Sequence, residues 1–473
     1  MSGAMRWDTL GPWAVATLLM VGGAGLAERA SAQPRKETTR PPVQAGKPDG
    51  ASGPTKVARA PRPADRQAAA QGGPASTRFA AASPAKTGAV GWPSDAEARL
   101  LAVIRLVENQ QLNAALLAVA SLTHDVPNFQ AAQLVYADLL RFKAGKVGDA
   151  PARSGGMRVS YHPAPKAAQG KETQEWQTRL HALRDELVRR VHGANGLPEP
   201  GRMPSEFLAM PSTVRHAIAV DASKSRLYLF TQEGGTLRLT GDFYVSIGKL
   251  GMGKLEEGDQ RTPQGVYFVG RQIEGARLPH LYGKGALTLN YPNDWDRAAG
   301  RGGSGIWLHG APPEQFARVP QASDGCIVLS NPDLLLLMGT VDPQTPVLVR
   351  ERLHWVAADD AKRRQAAQAF QPVLAAWQQG WSGADPQARA RLYSDELAAS
   401  PAQQAPQRRL AALFRHGDAA VEDVSVFAWK DAQGEIRIVN LKVTARAASA
   451  LTLRQYWRKT GDRWQLFSED ILS

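Results

Sequence analysis

The sequence is almost without cysteine, with one residue, Cys326, in 473. No intrachain disulfide can form, so the folded parts must hold by packing. No clustered His, Cys, Asp and Glu fall at metal-ligand spacing, and no glycine-rich loop of the phosphate-cradling kind is present. The sequence therefore implies no metal, nucleotide or other cofactor. Long apolar runs are also missing, apart from Gly11–Leu26, "GPWAVATLLMVGGAGL". That run follows the positive charge of Arg6 and precedes a small-x-small "ASA" at Ala30–Ala32, so residues 1–32 read as an export signal and the mature chain begins near Gln33. An uncleaved anchor is the alternative, but the run is shorter than the roughly 20 apolar residues of a membrane span. No cysteine lies near the run for lipid modification, and the mature chain has no other stretch of spanning length.

Large apolar residues are nearly absent from residues 33–92, which are rich in Ala, Pro, Gly, Lys and Arg. Such a segment cannot offset its ordering entropy by burial, so a disordered basic tether is expected. The formal net charge of +13 raises the question of nucleic acid. Ten Lys/Arg against three Asp/Glu lie between Gln33 and Trp92, so the basic excess is concentrated in the tether, which argues against a nucleic-acid partner. The tether can lie along anionic envelope polymers or serve as a solvated spacer.

What remains is compatible with packed cores, at 43% hydrophobic residues. Residues 93–200 read as a helical module. Ser94 and Glu97 stand at capping-box spacing, and Leu100, Val103, Ile104 and Val107 follow at helical period. Helices are expected over Leu112–Leu122, from "PNF" (Pro127–Phe129) through Leu140, and around Glu172–Val191. This pattern resembles tetratricopeptide-type hairpins over less than two repeats, which implies either docking of an envelope protein or a spacer. Over 212–351 the period becomes two, with turns at Asp221–Lys224 and Glu233–Gly235. Strands are expected at Gly265–Gly270, Gly305–His309 and Thr345–Arg350. Residues 362–473 read as helices and then four antiparallel strands, an α+β domain. The chain is thus multidomain, with a β-rich central domain.

Export sharpens the question of Cys326. A lone thiol in an oxidising compartment is buried, paired with another chain, or used as a nucleophile. Cys326 sits in "SDGCIVLSN", where Gly325 lets the backbone pass close to the sulfur. The amides of Asp324, Gly325 and Cys326 can converge on one point, as an oxyanion hole requires. His309 lies seventeen residues earlier, at the end of "GIWLHG", with Gly310 leaving room for its ring. An imidazole beside a thiol can take its proton. The alternative is a buried structural thiol and an unrelated histidine.

The stretch resembles the signature of the YkuD-type L,D-transpeptidases, in which a His-Gly precedes a Ser-x-Gly-Cys element by a similar distance. "VSIGKLGMGKLEEGDQRTPQGVY" (Val245–Tyr267) and "LTLNYPNDWDR" (Leu287–Arg297) are similar to further segments of that family. The resemblance implies cysteine acyl transfer on peptidoglycan stem peptides, with Cys326 as nucleophile and His309 as general acid and base. It also implies that the Gly310 carbonyl orients His309, with Ser323, Asp324 and Gly325 supporting the thiol. Passage of the acyl group to an amine cross-links the wall. Passage to water makes an L,D-carboxypeptidase or an amidase that cuts protein–wall links. A non-catalytic wall-binding adaptor is the reading from another class. The family implies a periplasmic location. Two departures stand out: Asp324 replaces the histidine many members carry, and Val328 replaces an arginine. Carboxylate recognition then falls to Arg261, Arg297 or Arg301, while Tyr291 and Trp295 can stack on substrate or belong to the core. The last segment resembles the nuclear transport factor-like cone fold, on "VLAAWQQGWSGAD" and "QYWRKTGDRWQLFSED".

Overall fold

The computed structural model describes residues 95–145, 166–383, 386–400, 404–415, 417–446 and 448–472. The export signal, the basic tether and Ser94 lie outside the described residues. Among those described, no helix is long and apolar enough to cross a membrane.

Among the described residues four helices come first: α1 (Asp95–Glu108), α2 (Leu112–Asp125), α3 (Gln130–Lys143) and α4 (Lys166–Asn195). Leu100, Val103 and Ile104 face one core together with Val119, Leu122 and Val135, as their helical spacing requires. The "PNF" break separates α2 from α3, but Phe129 is not an exposed turn residue. It is 1% exposed, and its ring packs on Phe316 of the β-rich domain at 4.3 Å. The helices are therefore seated on the rest of the protein. Glu97 shows the same thing, since its carboxylate is fully buried between Arg190 (3.0 Å) and Arg226 (2.7 Å).

The central part holds β1 (Arg202–Pro204), β2 (Phe207–Ala209), β3 (His216–Asp221), β4 (Arg226–Glu233), β5 (Thr236–Tyr244), β6 (Ile247–Gly248), β7 (Gly265–Glu274) and β8 (Gly285–Leu289). The short helix α5 (Asp294–Ala298) precedes β9 (Trp307–His309), β10 (Gln321–Ser323) and β11 (Ile327–Val328). Helix α6 (Asn331–Thr340) leads to β12 (Pro346–Arg350) and β13 (Trp355–Ala357). Eight strands form one mixed sheet, in the order β11-β9-β8-β7-β12-β3-β4-β5. Both faces are buried. In β3, Ile218 and Val220 join Leu334, Leu337 and Met338 of α6, while Ala217 and Ala219 face a second core.

That second core is shared with the C-terminal part. There α7 (Ala361–Ser382), α8 (Pro386–Ala390), α9 (Asp395–Ala398) and α10 (Gln404–Phe414) precede β14 (Ala420–Asp431), β15 (Gly434–Ala445), β16 (Ala448–Thr460) and β17 (Arg463–Ile471). The sheet order is β17-β16-β15-β14-β2. One face takes Phe370, Trp377 and Trp381 from the helices; the other sends Phe427, Ile436 and Ile438 against the eight-stranded sheet. Strand β2 precedes the central sheet in sequence yet pairs with β14, and β1 pairs with β13. A cut of the chain at residues 212 and 362 thus separates strands that are hydrogen-bonded to each other.

Arg226 binds Asp242 on β5 as well as Glu97 on α1, and all three side chains are buried. Removing one partner of a buried pair leaves a charge without compensation. Arg226→Ala is expected to cost about 3–5 kcal/mol, whereas Arg99→Ala, which breaks the half-exposed pair with Asp125, costs less than about 1 kcal/mol. Urea midpoints of the two variants measure this difference.

Candidate functional site

Strands β9 and β11 pair in parallel, with Ile327 beside Leu308 and Val328 beside His309. Cys326 enters β11 next to the strand that ends in His309. The spacing seen in the sequence is thus a crossover between neighbouring parallel strands, which needs a dozen or more residues.

His309 is 2% exposed, and its Nδ1 lies 2.7 Å from the Gly310 carbonyl oxygen. A carbonyl only accepts, so Nδ1 carries the hydrogen and Nε2 keeps its lone pair. Burial pushes the His309 pKa down to about 4, and the charge of Arg318 pushes the same way. The ring is therefore neutral at pH 7. The Tyr282 ring stands edge-on to it at 4.8 Å. Gly310 is required for space, because a Cβ there would fall 2.1 Å from Asn331 Oδ1. Asn331 accepts from the Lys284 amide and donates to the Ala311 carbonyl, which fixes the chain on both sides of that contact.

The turn before Cys326 is held from two directions. Ser323 Oγ donates to the Cys326 carbonyl at 2.6 Å and accepts from the Gly325 amide at 3.1 Å. The Gly325 amide is thereby spent, which corrects the expectation of three free amides and leaves those of Asp324 and Cys326 as the candidate oxyanion donors. Gly325 has φ +126°, and a Cβ would lie 2.7 Å from the Arg261 carbonyl. Thr262 Oγ1 donates to the Gly325 carbonyl at 2.9 Å. The "GDQRTPQG" loop therefore braces the cysteine turn.

Cys326 is half-buried, and its thiol donates to the Gly305 carbonyl at 3.3 Å. Burial raises its pKa; a hydrogen bond from the Trp307 backbone pulls down, Asp324 pushes up and Lys254 pulls down, for a net rise. Thiol and imidazole thus both rest neutral. Asp324 is exposed and engaged by Lys249 at 2.8 Å and Gln260 at 3.2 Å. The Lys249 hydrogen bond holds its carboxyl below the usual range. Val328 is 2% exposed, and its amide and carbonyl both bond Ser246.

The other expected side chains are engaged away from the sulfur, although the Arg261 backbone touches the cysteine turn. Tyr291 and Trp295 are buried at 5% and 3% exposure, with Tyr291 Oη on the Gly302 carbonyl and Trp295 Nε1 on Asp431. Neither offers an open face for stacking, because Tyr291 packs on Tyr267 in the core under α6 and Trp295 fills the seam beside the C-terminal sheet. Arg297 is engaged by Asp294 and the Pro292 carbonyl, and Arg301 by Asp296 and Asp431. Arg261 binds the Met252 carbonyl. Tyr282, Lys249, Thr262, Arg318 and Asn331 border the site without having been expected there. Of these, Thr262 and Lys249 lie inside the segment singled out on the sequence.

Residues 215–349 match the family model described as YkuD, L,D-transpeptidase catalytic domain. No curated protein matches the chain. Among solved structures, Bd1075 of Bdellovibrio bacteriovorus is 24% identical, with TM-score 0.46, over 57% of this chain and 98% of that one. The helical cell shape determining protein Pgp2 of Campylobacter jejuni is 20% identical, with TM-score 0.43, over 54% and 91%. An L,D-transpeptidase from Mycobacterium smegmatis is 17% identical, with TM-score 0.19, over 29% and 58%.

The charges around the sulfur set the pH dependence of its alkylation. Asp324→Asn is expected to move the iodoacetamide rate profile to lower pH, because a repelling charge is lost. Lys254→Met is expected to move it to higher pH. Pseudo-first-order rates between pH 6 and about 10 test both signs.

Proposed function

We propose that this protein is an exported cysteine L,D-transpeptidase that remodels peptidoglycan. The observation that carries the reading is the β9–β11 pairing, which brings the residue after Cys326 beside the strand that ends in His309, a neutral ring oriented through Gly310. The catalytic-domain match over 215–349 supports the substrate class. As Cys326 Sγ attacks the stem-peptide carbonyl, His309 Nε2 takes the thiol proton. The oxyanion lies against the amides of Asp324 and Cys326. Collapse breaks the C–N bond, and the imidazolium gives its proton to the leaving amine of D-alanine. This leaves a thioester on Cys326. The amine of a second stem attacks the thioester, loses a proton through His309, and returns the thiol. Because both partners rest neutral, the reaction begins by base-assisted attack rather than from a preformed thiolate.

The remaining parts fit this role. The N-terminal run exports the chain to the periplasm, and the basic tether gives it reach there. The helical module steadies the segment between His309 and Cys326, through Phe129 on Phe316. This is a tighter task than docking an envelope protein. The C-terminal part, a nuclear transport factor-like domain in this reading, positions the wall polymer.

Purified disaccharide tetrapeptides, incubated with the protein and separated by liquid chromatography–mass spectrometry, test the reaction. A 3-3 linked dimer with released D-alanine is the expected product. Tripeptide alone would replace transfer by hydrolysis, and unchanged substrate would overturn the enzymatic reading. Cys326→Ala is expected to abolish turnover, and His309→Ala to lower kcat by at least about 100-fold.

A further inference from the structure

The segment that joins His309 to Cys326 carries an arginine, Arg318, whose side chain has no partner among the described residues. Its backbone is pinned along its length. The Phe316 amide donates to the Asn128 carbonyl at 3.0 Å, and Asn128 Nδ2 donates to the Pro313 carbonyl at 2.9 Å. Tyr244 Oη donates to the Arg318 carbonyl at 3.0 Å, and the Ile247 amide to the Pro320 carbonyl at 2.9 Å. Tyr244 is itself covered by the Arg190 guanidinium, 3.8 Å from its ring. The helical module and β5 thus fix the position from which the Arg318 side chain departs.

That side chain is half-buried. Among the described residues its guanidinium has neither an ion-pair partner nor a hydrogen-bond acceptor, whereas the comparably covered Arg301 and Arg350 are paired with Asp296, Asp431 and Glu206. Burial lowers its pKa, and among the described residues Asp324 supplies the opposing charge. A partly desolvated cation without a partner costs free energy that a ligand anion can offset. Its charge also acts on His309, and its backbone lies in the segment that runs from His309 into β10, three residues before Gln321. Chemistry gives the ligand. The leaving amine of D-alanine is one carbon away from a carboxylate. A group close to His309 is therefore positioned to hold that carboxylate while the amine is protonated.

We propose that Arg318 is the carboxylate receptor of this site, taking the terminal α-carboxylate of the donor stem peptide as a two-pronged hydrogen-bonded pair. The assignment rests on the acyl-transfer reading for the identity of the donor. It also accounts for Val328, which is sealed in the sheet and offers no cation, and for Arg261, Arg297 and Arg301, which are engaged elsewhere.

Calorimetric binding separates the two claims, because it needs no turnover. In full-length Cys326→Ala protein, the free-acid disaccharide tetrapeptide is expected to bind about 10- to 100-fold more tightly than the same molecule with a C-terminal amide. Adding Arg318→Ala is expected to remove that preference and leave amide binding unchanged, while Arg318→Lys restores part of it. A preference that survives Arg318→Ala overturns the assignment, as does the absence of any preference in the parent protein. An equal loss for acid and amide would mark Arg318 as structural and overturn it too. With Cys326 present, D-alanine release reports separately on acyl transfer. Carboxylate preference without release would contradict the reaction and leave the receptor standing.

Discussion

The parallel pairing of Trp307–His309 with Ile327–Val328 is the constraint from which the site follows. Two neighbouring parallel strands cannot be joined by a tight turn, so the chain must leave the sheet after His309 and return before Cys326. The returning segment has no regular structure until Gln321. It therefore needs support from outside the sheet, and the helical module gives it through Asn128 and Phe129. The distance between histidine and cysteine in the sequence, the turn held by Ser323 and Thr262, and the helices on the flank all answer to this one pairing.

The energetics follow the same plan. Apolar cores lie on both faces of the eight-stranded sheet, and one is completed only by Phe427, Ile436 and Ile438 of the C-terminal sheet. Where the helices meet β4 and β5, contact is made by buried ions instead, with Arg190 and Arg226 between Glu97, Glu186 and Asp242. Buried ion pairs add little net stability but penalise any arrangement that leaves a charge unpaired. They fix the seating of the helices, and with it the segment those helices hold.

Local patterns were legible in the sequence. The helical spacing of Leu100, Val103 and Ile104, and the alternation through β3, β4 and β5, are properties of neighbouring residues and survive folding. That the segments of His309 and Cys326 belong together was read from a motif, and β9 and β11 are neighbouring strands. The use of the Gly325 amide by Ser323, two residues away, was equally local but was hidden by the expectation of three converging amides. The fate of Tyr291 and Trp295 was not legible, because a stacking aromatic and a buried one look alike and the partner of Trp295, Asp431, lies in another part of the chain. For the same reason β2 could not be assigned to a sheet whose other strands begin at Ala420. Arg318 carries no signal in its neighbours; only the missing partner, a property of the fold, distinguishes it.

The central claim is that Cys326 is retained as an acylating nucleophile. Intact-mass measurement after exposure to a carbapenem tests it most directly, because the β-lactam carbonyl traps an acylating thiol as a stable adduct. The account predicts one adduct per chain on the wild-type protein, located on Cys326, and none on Cys326→Ala. An unmodified wild-type chain, or an equal adduct on the alanine variant, would contradict it.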